Sequence, residues 1–171
     1  MTVLAGNRVR ASDPNGLDTR ITALEAGPGG LQVGCILRRA ATQSINNSAT
    51  TSATFDTEDV DTHSFSTASV SPSATVTIPT GKGGFFGITF NALPASAPAT
   101  RQDVQLAVTA ARTGFPTVLR NPGGAGSDRM SGSWCLPLQA GDTFTCQVFQ
   151  TSGGALNYTF WVCVARIGVF A

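Results

Sequence analysis

The last apolar run of this chain, residues 157–169, constrains the fold more than any other segment. Side chains on a strand alternate between its faces, so Tyr158, Phe160, Val162 and Val164 share one face. Trp161, Cys163 and Ala165 share the other, and that face is apolar too. A strand that is apolar on both faces needs cover on both. One cover is the interior of the domain. The other is either a second copy of the protein or the chain's own N-terminal segment, and the second copy is the more economical in 171 residues. Tyr158, Phe160, Trp161, Val162 and Val164 are therefore candidate oligomer-interface residues, because aromatic side chains are enriched at interface cores.

Upstream of that run, short stretches of period two alternate with turn signals. Apolar starts occur over 33–38 and 52–55, and a period-two run over 65–70. Val76 and Ile78 alternate with Thr75 and Thr77 before Pro79-Thr80-Gly81 breaks the strand. Phe86, Ile88 and Phe90 form one face of the next run, and Val104, Leu106 and Val108 one face of the run after it. Val118-Leu119 stops at Asn121-Pro122. Trp134, Leu136 and Leu138 precede a turn at Ala140-Gly141-Asp142, and Phe144, Cys146 and Val148 follow it. About ten short strands with a turn signal roughly every ten residues predict an all-β sandwich or barrel.

Composition narrows the function classes. Charged residues make up 12% of the chain and the formal net charge is +1, against roughly 25% charged in an average domain. Ser and Thr, roughly a fifth of the chain, cover the surface instead. A near-neutral balance gives no electrostatic footprint for phosphate backbones, so nucleic acid is not an expected partner. No apolar run approaches the ~18–20 residues of a membrane-spanning helix, so a membrane is not expected either. Residues 1–6 lack the basic and apolar regions of a signal peptide, which predicts assembly in a reducing cytoplasm.

Residues 1–30 read as a separate N-terminal arm. Ser12-Asp13-Pro14 is a helix start, and Leu17, Ile21 and Leu24 follow at spacings of four and three. Gly27-Pro28-Gly29-Gly30 ends the helix and forms a hinge. About three turns are too few for a stable isolated helix, so it must pack on its own domain, on its own copies or on a partner.

In order along the chain, several segments resemble the C1q/TNF-like jelly roll. They are Cys35-Ile-Leu-Arg-Arg-Ala-Ala-Thr-Gln-Ser-Ile45, Ala53-Thr-Phe-Asp56 and Val76-Thr-Ile-Pro79 with Gly84-Phe-Phe-Gly-Ile-Thr-Phe90. Leu136-Pro-Leu-Gln-Ala-Gly-Asp-Thr-Phe144 is similar to that family's strand–turn–strand, and Phe160-Trp-Val-Cys-Val-Ala-Arg166 to its last, central strand. Ser152-Gly-Gly-Ala-Leu-Asn157 and the preceding Arg10 to Leu17 arm resemble bacteriophage virion proteins. The Gly83-Gly84-Phe85 stretch departs from relatives that carry a single Gly and then Tyr. The resemblance implies a jelly-roll sandwich of ten strands over residues 31–171, assembled as a homotrimer through its inner sheets.

Reactive chemistry is poorly represented. Cys35, Cys135, Cys146 and Cys163 show no zinc spacing. In the implied jelly roll Cys35 and Cys163 fall on neighbouring strands, which leaves a disulfide between them open. His63, the single histidine, has no G-x-S-x-G nucleophile to serve. Asp56, Glu58, Asp59 and Asp61 are crowded enough to suggest calcium, but read better as a solvated loop. No catalytic residue, metal site or cofactor is expected.

The expected function is non-enzymatic: a trimeric capsid decoration protein on a phage virion surface. Arg8, Arg10, Leu17, Arg20, Ile21 and Leu24 would dock the arm on the major capsid protein. The alternative is the tip of a tail fibre or a minor tail protein, with receptor-binding loops over 91–102 and 113–131.

Overall fold

The computed structural model describes residues 33–68, 70–96, 100–110, 118–123 and 129–170. The expected arm, with docking residues Arg8, Arg10, Leu17, Arg20, Ile21 and Leu24, lies outside them, as do parts of the loops over 91–102 and 113–131.

Eleven strands occur among the described residues. They are β1 (Gly34–Arg38), β2 (Gln43–Ile45), β3 (Thr50–Ser52), β4 (Thr57–Asp61), β5 (Thr75–Thr77) and β6 (Gly84–Pro94), followed by β7 (Gln102–Thr109), β8 (Val118–Gly123), β9 (Met130–Leu138), β10 (Thr143–Gln150) and β11 (Leu156–Gly168). One sheet has the order β4-β1-β11-β6-β9, with β2 also pairing with β11. The other has the order β3-β10-β7-β8, with β5 also pairing with β10. All of these pairings are antiparallel. The last strand lies at the centre of its sheet, between β1 and β6.

The core is the space between the two sheets, and the period-two pattern fills it. Phe86, Ile88, Phe90 and Ala92 point inward from β6; Val104, Leu106 and Val108 from β7; Phe144, Cys146 and Val148 from β10. Tyr158, Phe160, Val162 and Val164 complete it from β11. Burying each large apolar side chain contributes about 1.5–3 kcal/mol. Rings meet in pairs: Phe90 and Phe160 stack with centroids 5.8 Å apart, and Phe65 meets Phe86 edge-on at 6.1 Å. The buried Tyr158 hydroxyl donates to Gln102 Oε1 at 2.8 Å, so one polar link joins the sheets inside the core.

Two motifs singled out above have a mechanical role. In the turn after β9, Gly141 adopts φ +87° and the Asp142 carboxylate accepts the Gln139 amide at 2.7 Å. The Gly141 amide and the Asp142 carbonyl then bond the backbone of Ile78, which anchors this turn to the end of β5. In the stretch after β10, buried Gln150 donates to the carbonyls of Ile45 and Gly154 and accepts the Ser152 amide. Gly153, at φ +88°, donates its amide to Asn47 Oδ1.

Three details differ from the sequence reading. Residues 57–61 form β4, an edge strand rather than a loop. Residues 65–68, expected to begin a strand over 65–70, form none, because the Asp61 carboxylate takes the amides of His63, Phe65 and Ser66 that a ladder would need, and Ser64 turns the chain at φ +61°. β8 runs on through Asn121-Pro122, which an edge strand tolerates because proline lacks only the donor.

Candidate interaction surface

The outward face of the β4-β1-β11-β6-β9 sheet is built from residues that the sheet register brings into rows. Val60, Ile36, Cys163, Thr89 and Ser133 lie side by side across five strands. The Thr89 and Ser133 hydroxyls are 3.2 Å apart. One row along, Arg38, Trp161, Asn91 and Ser131 are aligned; in the other direction come Ala165, Gly87 and Cys135. The middle of this face carries no charge. Ile36 is 37% and Val60 44% exposed, and Cys135 and Cys163 are exposed as well. Charge appears towards its rim: Arg38 pairs with Asp59 through Nε at 2.8 Å, and the Arg129 guanidinium lies over Trp161, 5.4 Å from the ring centroid. An uncharged centre with an aromatic anchor and a polar, charged rim suits the core of a subunit interface.

The outward face of the other sheet is mostly polar in composition, although Gln105 is 3% and Val118 45% exposed. Ser52, Gln147, Gln105 and Arg120 form one row, and Thr75, Thr145, Ala107 and Val118 another. Its one outward aromatic, Phe149, is covered by Arg101, whose guanidinium is 5.7 Å from the ring and pairs with buried Asp103. The two outer faces thus differ in their middle rows, which are uncharged on the first and carry Gln147, Gln105 and Arg120 on the second.

Of the five residues expected at an oligomer interface, Tyr158, Phe160, Val162 and Val164 are 0–2% exposed in the single chain and belong to its own core. They have no surface left for a second copy. Trp161 alone of the five faces outward. Periodicity separates two faces of a strand without saying which one the chain covers itself, and here the more aromatic set went inside. The other residues of this face, among them Ile36, Val60, Thr89 and Cys135, come from four other strands and carry no local signal.

All four cysteines are free. Cys35 and Cys163 sit on neighbouring strands, but Cys35 pairs with Val164 and Ile36 with Cys163, so the two thiols lie on opposite faces of the sheet. That arrangement excludes the disulfide left open above. Burial pushes the Cys35 and Cys146 thiols far up, with Asp61 adding to the effect on Cys35.

The polar residues weighed for chemistry serve the loops. His63 Nδ1 lies 2.8 Å from Thr62 Oγ1, and Asp61 caps three amides. Partial burial opposes the Asp56 charge, but donors from the Ala40 amide and the Thr57 hydroxyl, with Arg39 nearby, hold its pKa below the ordinary carboxylate value. Among the described residues, no three His, Cys, Asp or Glu side chains are grouped to hold a metal ion.

The sequence matches no protein-family model and no curated protein. Solved structures do share the fold. The globular domain of zebrafish complement 1qA protein superposes with a TM-score of 0.60 at 18% identity, covering 80% of this chain and 98% of that one. Eiger TNF from S. frugiperda gives 0.58 at 10% identity over 82% and 95%. PRD1 vertex protein P5 gives 0.54 at 18% identity over 81% and 100%. The chain is a two-sheet jelly roll of the C1q/TNF type.

Proposed function

We propose that this protein is a homotrimeric structural protein of a bacteriophage virion, with the outward face of the β4-β1-β11-β6-β9 sheet as the contact between subunits. The observation that carries the proposal is that face: an uncharged centre around Cys163, Thr89 and Gly87, anchored by Trp161. Its chemistry differs from that of the Gln- and Thr-rich face on the opposite side. The likeness in fold to a vertex protein, with that whole chain covered, supports a place in a virion. The resemblance of Ser152 to Asn157 and of Arg10 to Leu17 to phage virion proteins supports it independently.

Within that class, the reading is a capsid decoration protein. Residues 1–30 form the docking arm on the major capsid protein, with Leu17, Ile21 and Leu24 as apolar anchors and Arg8, Arg10 and Arg20 as partners for acidic groups. The jelly roll reinforces the shell by bridging neighbours and performs no catalysis. Deleting residues 1–26 and measuring shell occupancy tests the arm: occupancy falls to background if the reading holds, and stays full if it does not. Imaging of intact particles separates shell from tail fibre directly.

A further inference from the structure

We propose that one end of the jelly roll carries a docking groove for an acidic, apolar segment of another protein. The groove measures about 360 Å³ and lies between the turn over 79–83 and the turn over 139–142, with Arg166, Val169 and Phe170 forming the rest of its wall. Eight large hydrophobic side chains are exposed among the described residues; two of them, Val169 and Phe170, line the groove, and a third, Phe85, packs against Phe170. Single exposed apolar residues are ordinary on a protein surface, whereas a cluster marks a contact site. Phe85 and Phe170 hold each other edge-on with centroids 5.5 Å apart, so the rim is ordered by its own packing.

The charge of the groove selects the partner. Arg166 is the charged residue in its wall and takes part in no ion pair among the described residues. Lys82 follows one lining glycine, Gly81, and precedes the other, Gly83. Among the described residues no carboxylate lines the groove, and Asp142 in the adjoining turn is buried and engaged with the Gln139 amide. The Arg166 stem lies across Gly84, where an added Cβ would come within 2.9 Å of its Cδ and would also meet the Gly168 carbonyl. The absence of a side chain at residue 84 thus lets the arginine lie where it does. A cation set beside an apolar wall fits a carboxylate flanked by apolar side chains, and a bare phosphate would leave Val169 and Phe170 without a partner. The groove uses neither Trp161 nor Cys163, so the inference stands apart from the trimer reading.

The test uses the full chain and two capped peptides, acetyl-Leu-Asp-Phe-amide and acetyl-Leu-Asn-Phe-amide, followed by backbone amide NMR. The acidic peptide is expected to shift the amides of Gly81, Gly83, Ala140 and Gly168 saturably and to bind about tenfold tighter than the neutral one. Arg166→Gln abolishes the difference between the peptides, Arg166→Lys keeps part of it, and Phe170→Ser weakens both. Equal binding of the two peptides to the unaltered protein overturns the proposal, and so do shifts centred on Trp161 and Cys163. Inorganic phosphate producing the same shifts at the same concentration overturns the peptide assignment in favour of a simple anion site. The peptide comparison on the unaltered chain decides the matter even where a variant fails to fold.

Discussion

Arg129 lies over the indole of Trp161 on the outward face of the central sheet, its guanidinium carbon 5.4 Å from the ring centroid. The pair joins the aromatic anchor of that face to its charged border. Truncating a central interface aromatic weakens association by about 2 kcal/mol or more. Trp161→Ser is therefore expected to dissociate the assembly at concentrations where the unaltered protein is associated, with its circular dichroism spectrum unchanged. Cys163→Glu, which places a charge in the uncharged centre, is expected to do the same. A Cys163→Glu protein that kept its full assembled mass would rule out this face.

Thiol reactivity reads the same surface chemically. Cys135 and Cys163 are exposed in the single chain, and Cys35 and Cys146 are buried. In the dissociated Trp161→Ser variant, a thiol reagent at neutral pH is expected to titrate two cysteines quickly and the other two only after denaturation. In the assembled protein the two fast thiols become slow. Equal reactivity in both forms would mean that the face is not covered.

The buried link between Tyr158 and Gln102 makes two predictions. Tyr158→Phe removes the hydroxyl that donates to Gln102 Oε1 and is expected to lower stability by about 1 kcal/mol, measured from the urea midpoint. Burial also pushes the Tyr158 pKa from 10.0 up to about 12, and raises those of Cys35 and Cys146 from 9.0. A group with a raised folded pKa contributes stability that is fully present below its unfolded value and is lost as pH rises through the folded one. Stability is thus expected to decline from pH 9.0 upward, and Tyr158→Phe to flatten the part of that decline above pH 10.0. A urea midpoint constant from neutral pH to that range would contradict the assignment.

A steric prediction probes where the central strand meets β1. A Cβ at residue 34 would overlap the Val164 carbonyl oxygen and come within 3.1 Å of the Ala165 Cα, both backbone atoms that cannot rotate away. Gly34→Ala is expected to cost about 1–3 kcal/mol, the range for overpacking. Gly154→Ala meets nothing within 4 Å and serves as the control, with little change in midpoint.

Much of this fold is legible in the sequence because the long strands alternate cleanly. The inward sets of β6, β7 and β10 can be read directly from Phe86, Val104 and Phe144 and their second neighbours, whereas β11 is apolar on both faces and alternation alone does not choose the inner one. Local chemistry misled where a side chain replaced the ladder. Asp61 replaced the ladder that the pattern after it suggests, and β4 formed over Thr57–Asp61, despite the poor strand formers Glu58, Asp59 and Asp61, because the edge of β1 was there to pair with. The proposed contact face was half legible. Trp161 and Cys163 announced it, while Ile36, Val60, Thr89 and Cys135 reach it only through pairing between strands far apart in the chain.

The central claim, a trimer through the Trp161 face, is tested most directly by the solution mass of the full chain. Light scattering at micromolar concentration is expected to give three times the 17.6 kDa of one chain, reverting to that of a single chain for Cys163→Glu. A mass of 17.6 kDa for the unaltered protein would contradict the account.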